Sequence, residues 1–339
     1  MIASSPHQIS NASVGQIMRQ VSYALLPATL AYVWLFGIGV LVHILLAVVA
    51  ACVTEAVVMW LRKRSALNSL ADGSAILTAL LLALAIPSIA PWWITVLGSV
   101  FAILFGKQLY GGLGYNPFNP AMLGYAMLLI SFPLEMTRWP AAFSLLTDAP
   151  SLSDSINAIF NHGVTVDAIS AATPLDTLKT QLGRGIEISE TIRSQEFGKI
   201  FGSMSGVGWE WINIGFLIGG LYLLITKRIA WQIPFAMLIS IIILSSTFYL
   251  IDPQHFVSPW MHLLGGATMM GAFFIATDPV SACTSARGRL YYGAGIGIII
   301  FVIRTWGGYP EGLAFAVLLM NMAAPTIDHY TQPRVFGGR

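Results

Sequence analysis

The sequence of 339 residues is 56% hydrophobic and only 9% charged, with a formal net charge of +2. An average soluble domain has about 25% charged residues, so the composition excludes an ordinary soluble fold and indicates an all-α, polytopic protein of the lipid bilayer. The small net charge, with its basic residues dispersed over short loops, also excludes a nucleic-acid partner.

Apolar runs of suitable length predict about ten transmembrane helices. They divide the chain into a cytoplasmic N-terminal segment (1–20), a first five-helix repeat (21–132), a periplasmic loop (133–211), a second five-helix repeat (212–322) and a cytoplasmic tail (323–339). The predicted helices are 21–36, 40–61, 74–86, 92–105, 120–132, 212–225, 229–251, 263–277, 290–304 and 311–322.

The two predicted halves share a spacing of proline-containing loops. Pro87 and Pro117 are 30 residues apart, and Pro279 and Pro310 are 31 apart. Because each half has an odd number of helices, the second half enters from the opposite side of the membrane and the repeat is inverted. Short, interrupted helices at matching positions of inverted repeats mark a central site for a ligand or an ion. Convergent apolar composition is the alternative explanation of this spacing.

Basic residues set the predicted orientation. With the N-terminus in the cytoplasm, most Lys and Arg residues of the short loops lie on the cytoplasmic side, as the positive-inside rule requires. The C-terminus is then also cytoplasmic, and the loop 133–211 is periplasmic. Apolar residues at helical spacing in this loop, at 175, 178, 182 and 186, predict that it contains short helices.

Thr173, in the periplasmic loop, has the sequence pattern of a helix start. With Thr173 as N-cap, Pro174 takes the first helical position and Asp176 the third. The first N–H groups of a helix are unpaired and attract a phosphate group. Thr173 is therefore predicted to cap a helix, a role that is compatible with a phosphate group near its hydroxyl.

Three more polar residues lie in or beside the predicted helices. Glu55 is in the second helix, less than two turns from Arg62. An acid at that depth either belongs to an ion path or pairs with the nearby basic residues. Asn116 and Asn119 follow a glycine-rich turn, where they either hydrogen-bond a ligand ring or an ion, or cap the turn before the fifth helix.

The order of Asp167, Ser170, Ala172 and Thr173 resembles the flavinylation signature of one family of membrane proteins. The family comprises the D subunits of the Rnf electron transport complex and the B subunits of the sodium-pumping NADH:quinone reductase. Ala171 stands where related sites often have glycine. The resemblance covers nearly the whole chain and includes the segments 5–7, 72–79, 114–122 and 277–282. The short polar N-terminal segment is more similar to the Rnf proteins, because the reductase proteins have a longer extension.

The resemblance implies a fold of two inverted five-helix repeats, similar to that of urea transporters, and a covalently bound FMN. In this family a flavin transferase attaches FMN to the threonine of the motif through a phosphate ester. The attachment residue here is then Thr173, with Asp167, Ser170 and Ala172 as the rest of the attachment motif. Rossmann, P-loop and iron–sulfur cluster patterns do not occur in the sequence, so other cofactors belong to partner subunits.

The implied function is that of a membrane subunit of an ion-translocating oxidoreductase complex in the bacterial inner membrane. The subunit relays electrons and couples transfer between ferredoxin and NAD to Na⁺ or H⁺ translocation, with Glu55 as a candidate for the ion path. It is not catalytic alone: a periplasmic flavoprotein subunit and the cytoplasmic subunits that handle NADH and ferredoxin are the implied partners. Some family members hold a second flavin such as riboflavin, for which Asn116 and Asn119 are candidate contacts. A secondary transporter or channel without a redox cofactor is the alternative function.

Overall fold

The fold is built almost entirely from helices. A computed structural model describes residues 13–146, 151–160 and 169–331, and within these ranges one short antiparallel pair of strands accompanies the helices. Asp167 of the attachment motif and the segment 5–7 lie outside the described residues.

The first half begins with a helix that is capped by a serine. Ser13 accepts a hydrogen bond from the backbone N–H of Gln16, and the Gln16 side chain accepts one from the backbone N–H of Ser13. This capping box starts the helix at Val14, ahead of the predicted start at 21. The helices of this half are α1 (Val14–Ala24), α2 (Leu26–Phe36), α3 (Gly39–Leu61), α4 (Ala66–Leu70), α5 (Ser74–Ala85), α6 (Trp92–Phe101), a π-helix (Ala102–Lys107), a 3-10 helix (Gln108–Tyr110) and α7 (Pro120–Ser131).

Short helices and one strand pair connect the two halves. Strand β1 (Trp139–Pro140) pairs antiparallel with β2 (Ser170–Ala171), with Trp139 opposite Ala171. The short helices that the sequence predicts for this segment are present. They are α8 (Pro133–Thr137), a 3-10 helix (Phe143–Leu145), α9 (Leu152–Ile159), α10 (Pro174–Gly183), α11 (Ile188–Arg193) and a 3-10 helix (Gly198–Ile200).

The second half differs from its predicted boundaries at two helices. The predicted helix 263–277 is interrupted at Gly265 and Gly266, whose high backbone freedom favours a break. The last helix continues through Pro325 to Thr331, beyond its predicted end at 322. The helices are α12 (Trp209–Ile225), α13 (Gln232–Ile251), α14 (Pro259–Leu264), α15 (Thr268–Met270), a π-helix (Gly271–Ile275), α16 (Ala286–Trp306) and α17 (Leu313–Thr331).

Several of these helices have the length and composition of membrane spans. Four in the described part of the chain are long and apolar enough to cross a bilayer, namely Gly39–Leu61, Trp92–Tyr110, Gln232–Ile251 and Ala286–Trp306. Shorter apolar helices accompany them at Ser74–Ala85, Pro120–Ser131 and Trp209–Ile225. The chain is therefore an all-α membrane protein, and its division into ten spans and two inverted repeats stays a prediction.

Glycines on α12 bring the two halves into close contact. A Cβ atom at Gly215 would lie 2.6 Å from the Cα of Ala28, and one at Gly219 would overlap the carbonyl oxygen of Ala24. Small residues at such positions let two helix backbones approach closely. A continuous apolar core therefore extends through both halves of the chain.

Candidate functional site

Thr173 is the N-cap of α10. Its Oγ1 accepts a hydrogen bond from the backbone N–H of Asp176 at 3.3 Å, and Pro174 occupies the first turn. Thr173 has extended backbone angles, φ −70° and ψ 155°, as expected of an N-cap residue. The predicted helix start is confirmed, and the hydroxyl lies beside the unpaired N–H groups of a ten-residue helix.

The rest of the motif that lies in the described residues is held by the strand pair. Ser170 is opposite Pro140, and Ala171 is opposite Trp139. Ala172 is exposed and Thr173 is half-buried. The strand pair thus fixes the motif beside the β1 tryptophan.

A cavity opens below Thr173 into the space between the two halves. Its volume is about 110 Å³, and it is open to the solvent. Its walls come from both halves and from the connecting segment, and most of its lining is apolar or aromatic. The aromatic residues of the lining are Tyr32, Tyr125, Trp139, Trp209, Phe216 and Tyr309. We call this space the Thr173 cavity.

Two acidic residues also line the Thr173 cavity. Asp176 is on the first turn of α10, and burial raises the pKa of its carboxyl group, an effect that the positive charge of Lys179 partly offsets. Burial likewise lowers the pKa of the Lys179 ammonium group, and Asp176 opposes this. The second acid is Glu311, in the loop before α17. The cavity therefore combines aromatic walls with carboxyl groups at one end.

The Glu311 carboxylate is fully engaged by the protein. It accepts hydrogen bonds from the Arg304 guanidinium at 2.6 Å, from the Ala267 N–H at 2.8 Å and from the Gly312 N–H at 2.9 Å. Arg304, whose side chain is 1% exposed, also donates to the carbonyl oxygen of His262 at 2.6 Å. This pair is not predicted from the sequence. An arginine and a glutamate seven residues apart at a helix end are nevertheless a pattern from which the pair could be predicted.

Asn116 and Asn119 line a second cavity of about 80 Å³, which we call the asparagine cavity. Asn119 is the N-cap of α7, and its Oδ1 accepts the N–H of Met122 at 3.1 Å, as the capping interpretation predicts. Asn116 donates to the carbonyl oxygen of Phe118 at 2.9 Å, while its own Oδ1 is buried without a hydrogen-bond partner among the described residues. Arg228 also lines this cavity, and its Nε is likewise buried without a partner there, so an acceptor and a donor both have spare hydrogen-bonding capacity.

Glu55 is completely buried in α3 and pairs with Lys107. The Lys107 ammonium lies 2.6 Å from Oε1 of Glu55 and donates to the Ser74 hydroxyl at 2.6 Å. Gln108 donates to the same oxygen of Glu55 at 3.1 Å. Arg62, the basic residue nearest in sequence, donates instead to the Gln108 side chain at 3.2 Å. Glu55 is therefore neutralised within the bundle by a residue 52 positions away.

The predicted site residues separate into two groups. Thr173 lines the Thr173 cavity and also a small neighbouring cavity, which Ala172 lines as well, and Ser170 is in the adjoining strand β2. Asn116 and Asn119 share the asparagine cavity with Lys107, the partner of Glu55. The threonine and the two asparagines therefore belong to different cavities.

The helices and the two cavities define a polytopic helical membrane protein with cavities between its halves. The chain belongs to the NQR2, RnfD, RnfE family, whose model matches residues 1–337. This confirms the resemblance indicated by the sequence motifs.

Curated relatives are similar over their whole length. The chain is 50% identical over 347 residues to the D subunit of the ion-translocating oxidoreductase complex of Vibrio cholerae serotype O1, covering 99% of each chain. It is 48% identical over 350 residues to the protein of the same name from Cronobacter sakazakii, covering 100% of this chain and 99% of the relative. The Escherichia coli protein of that name is 48% identical over 349 residues, covering 100% of this chain and 98% of the relative.

Proposed function

We propose that the chain is a membrane subunit of an ion-translocating oxidoreductase complex and bears FMN on Thr173 through a phosphate ester. In this function the subunit relays electrons, and it couples electron transfer between ferredoxin and NAD to the translocation of Na⁺ or H⁺. The observation that supports it best is the position of Thr173, a half-buried helix cap that lines a cavity with aromatic walls.

The residues around Thr173 fit a phosphorylated aromatic cofactor. A phosphate on the hydroxyl would lie at the N-terminus of α10, where unpaired N–H groups and the helix dipole stabilise negative charge. The rings of Trp139 and Trp209 have centroids 5.0 Å apart. Both residues line the Thr173 cavity, and both also line a small neighbouring cavity. These rings offer flat apolar surfaces to an aromatic ring system. Ser170, Ala172 and Asp167 complete the motif that the flavin transferase would read.

FMN supplies one-electron and two-electron redox chemistry when it is bound. The chain would hold the cofactor by the Thr173 ester and the first N–H groups of α10. The mostly apolar walls of the cavity lower the local dielectric, which strengthens electrostatic interactions there. Asp176 and Glu311 place carboxyl groups within the same space, so the charge of the chain itself sets the electrostatic environment of a bound group.

Helix packing supports the proposal of two inverted five-helix repeats. The first and sixth predicted spans contact each other as α2 and α12, and the fifth and tenth do so as α7 and α17. Within the halves, α3 packs on α6 as α13 packs on α16. Corresponding helices therefore make corresponding contacts, as two related repeats would.

The asparagine cavity is proposed to bind the second, non-covalent flavin, with riboflavin as the candidate. The unpaired Oδ1 of Asn116 supports this proposal, because a flavin ring edge offers an N–H donor to such an acceptor. The amount of non-covalent flavin that the wild-type protein releases on denaturation measures the occupancy of this site. Asn116→Ala should lower that fraction, and an unchanged amount would contradict the assignment.

Glu55 is proposed to belong to the ion path, together with Lys107. Oε2 of Glu55 is buried without a hydrogen-bond partner among the described residues, which leaves this oxygen free to interact with a moving cation. In reconstituted complex, Glu55→Gln should lower the number of ions moved per electron. An unchanged ratio would remove Glu55 from the path.

The proposed setting is the bacterial inner membrane, with both termini in the cytoplasm and Thr173 on the periplasmic side. The proposed partners are the other subunits of the complex, including a periplasmic flavoprotein and the cytoplasmic NADH and ferredoxin subunits. The names of the relatives, each a D subunit of an ion-translocating oxidoreductase complex, support assembly into such a complex.

The deciding experiment measures covalent FMN on the protein expressed with its flavin transferase. In-gel flavin fluorescence and intact mass after denaturation should show one FMN on wild type and none on Thr173→Ala. Thr180→Ala is the matched control, because Thr180 is exposed on the same helix. An unmodified wild type would overturn the FMN proposal and favour a transporter or channel without a redox cofactor.

A further inference from the structure

Lys179 joins α10 to the second half of the protein. Its ammonium group donates hydrogen bonds to three backbone carbonyl oxygens, those of Ile303 at 2.9 Å, Arg304 at 2.9 Å and Tyr309 at 3.0 Å. A lysine ammonium has three N–H donors, so all of them are used. The contact connects residues that are 124 to 130 positions apart in the sequence.

The three carbonyls lie where α16 ends. Ile303 and Arg304 are in the last turn of α16, and Tyr309 is in the loop that follows. The final carbonyls of a helix have no partner within the helix and carry partial negative charge. A compact ammonium group with three donors matches three converging acceptors.

This contact acts on the helix that Thr173 caps. Lys179 is six residues from Thr173, or about 9 Å along the helix axis. On the same helix, the apolar residues Leu175 and Leu178 pack with Met261 of α14. The apolar contacts and the lysine together leave α10 little freedom to rotate or to lift from the second half.

The contact also reaches the wall of the Thr173 cavity. Tyr309 lines this cavity, and Arg304 donates to Glu311, which lines it as well. The carbonyl groups that hold Lys179 therefore belong to the segment that forms one side of the cavity. Movement of this segment and movement of α10 are coupled through one side chain.

We propose that Lys179 is a positioning residue that fixes α10 on the end of α16, so that a group attached to Thr173 faces the cavity and not the solvent. The inference rests on the proposed FMN at Thr173. It adds a residue outside the attachment motif on which the orientation of the cofactor depends.

Lys179→Met tests the proposal, with Lys199→Met as the matched control because Lys199 is exposed on the same connecting segment. Both variants are made in the full chain with its flavin transferase, and covalent FMN is measured first by intact mass. Iodide quenching of flavin fluorescence then reports how exposed the ring is. The quenching constant should rise about threefold or more in Lys179→Met, since hydrogen bonds of a charged donor are lost, and should stay unchanged in Lys199→Met.

The outcomes separate this proposal from the one on which it rests. Wild type without FMN overturns the attachment at Thr173. Wild type with FMN, but with equal quenching constants in all three proteins, overturns the role of Lys179 alone. An equal rise of the quenching constant in both lysine variants would also overturn it, because the effect would then not depend on the contact with α16.

A measurement on wild type covers the case in which Lys179→Met does not fold. A lysine-selective acylating reagent is added to the native protein, and peptide mass spectrometry follows the modification of Lys179 and Lys199. Lys179 should react about tenfold more slowly, because its ammonium must first leave three carbonyl oxygens. Equal rates at the two lysines would show that the contact with α16 is not maintained and would overturn the proposal.

Discussion

Glu55 and Lys107 neutralise each other inside the first half, with 2.6 Å between Oε1 and Nζ and with neither side chain more than 2% exposed. Arg304 and Glu311 form a pair of the same separation in the second half. Lys107 lines the asparagine cavity, and Glu311 lines the Thr173 cavity. Each cavity therefore borders an ion pair whose charges cancel. Removal of one member leaves the other as an uncompensated buried charge.

Lys107→Met should destabilise the protein by about 3–5 kcal/mol, because it leaves a buried carboxylate without its cation. The double variant Lys107→Met with Glu55→Gln should recover much of this loss, since no uncompensated charge remains. Thermal unfolding in detergent measures all three proteins. Lys63→Met, at an exposed position, is the control. A double variant less stable than Lys107→Met would contradict the charge argument.

Glu311→Gln should also destabilise the protein strongly, by about 3 kcal/mol, because Arg304 would then be a buried cation without a counter-ion. The substitution retains the shape of the side chain, so the effect is one of charge. Glu190→Gln, on the exposed surface of α11, should change the midpoint of thermal unfolding little. If both glutamine variants unfolded at the same temperature as wild type, the buried pair would make no net contribution to stability.

The stability of the protein should depend on pH through Asp176. Burial raises the pKa of Asp176 above its usual value near 3.8, with Lys179 opposing the shift. The protonated carboxyl group of Asp176 therefore favours the folded state. This contribution to stability is complete below pH 3.8 and is lost as the pH rises through the raised pKa. Relative to Asp176→Asn, wild type should lose stability from about pH 4 upward. Unfolding temperatures across this range measure the difference.

Asp154→Asn is the control of opposite sign for that experiment. Hydrogen bonds from the Ser151 hydroxyl and backbone N–H lower the pKa of Asp154 below 3.8. Its stabilisation is present above pH 3.8 and is lost only as the pH falls through the lowered value. With rising pH, wild type should therefore lose stability relative to Asp176→Asn and gain stability relative to Asp154→Asn. The same trend in both would contradict the assigned directions.

Gly219→Ala should destabilise the contact between α12 and α1 by about 1–3 kcal/mol, because the added methyl group would overlap the carbonyl oxygen of Ala24. Gly183→Ala, at the end of α10, is the matched control. Its added Cβ meets nothing within 4 Å, and alanine should stabilise the helix by up to about 1 kcal/mol. Thermal unfolding compares the two variants. A neutral Gly219→Ala would show that the helices can separate at no cost.

The local part of the site can be predicted from the sequence. The cap at Thr173 depends on residues within three positions of one another, and the pattern of threonine, proline and aspartate specifies it. Asn119 is likewise predictable as a helix cap for local reasons. The family follows from motifs that are contiguous in the sequence, and the comparisons confirm it.

The long-range part cannot be predicted, because nothing in the sequence indicates which distant residues meet. Glu55 has basic residues close in sequence, yet its partner is Lys107, 52 positions away. Lys179 has the sequence context of an ordinary surface lysine, and its acceptors are backbone carbonyls, which every residue has. The break at Gly265 is also not predicted, because the apolar pattern continues across it. These features depend on helix packing, which hydropathy does not encode.

Glu311 has a mechanical role that follows from its hydrogen bonds. Its carboxylate accepts N–H groups from Ala267, beside the interrupted helix, and from the start of α17. One anion therefore ties together two segments of backbone that are distant in the sequence. If the cavity holds the proposed flavin, negative charge added on reduction would repel Glu311 and attract Arg304, and would therefore strain the pair that holds these two segments together.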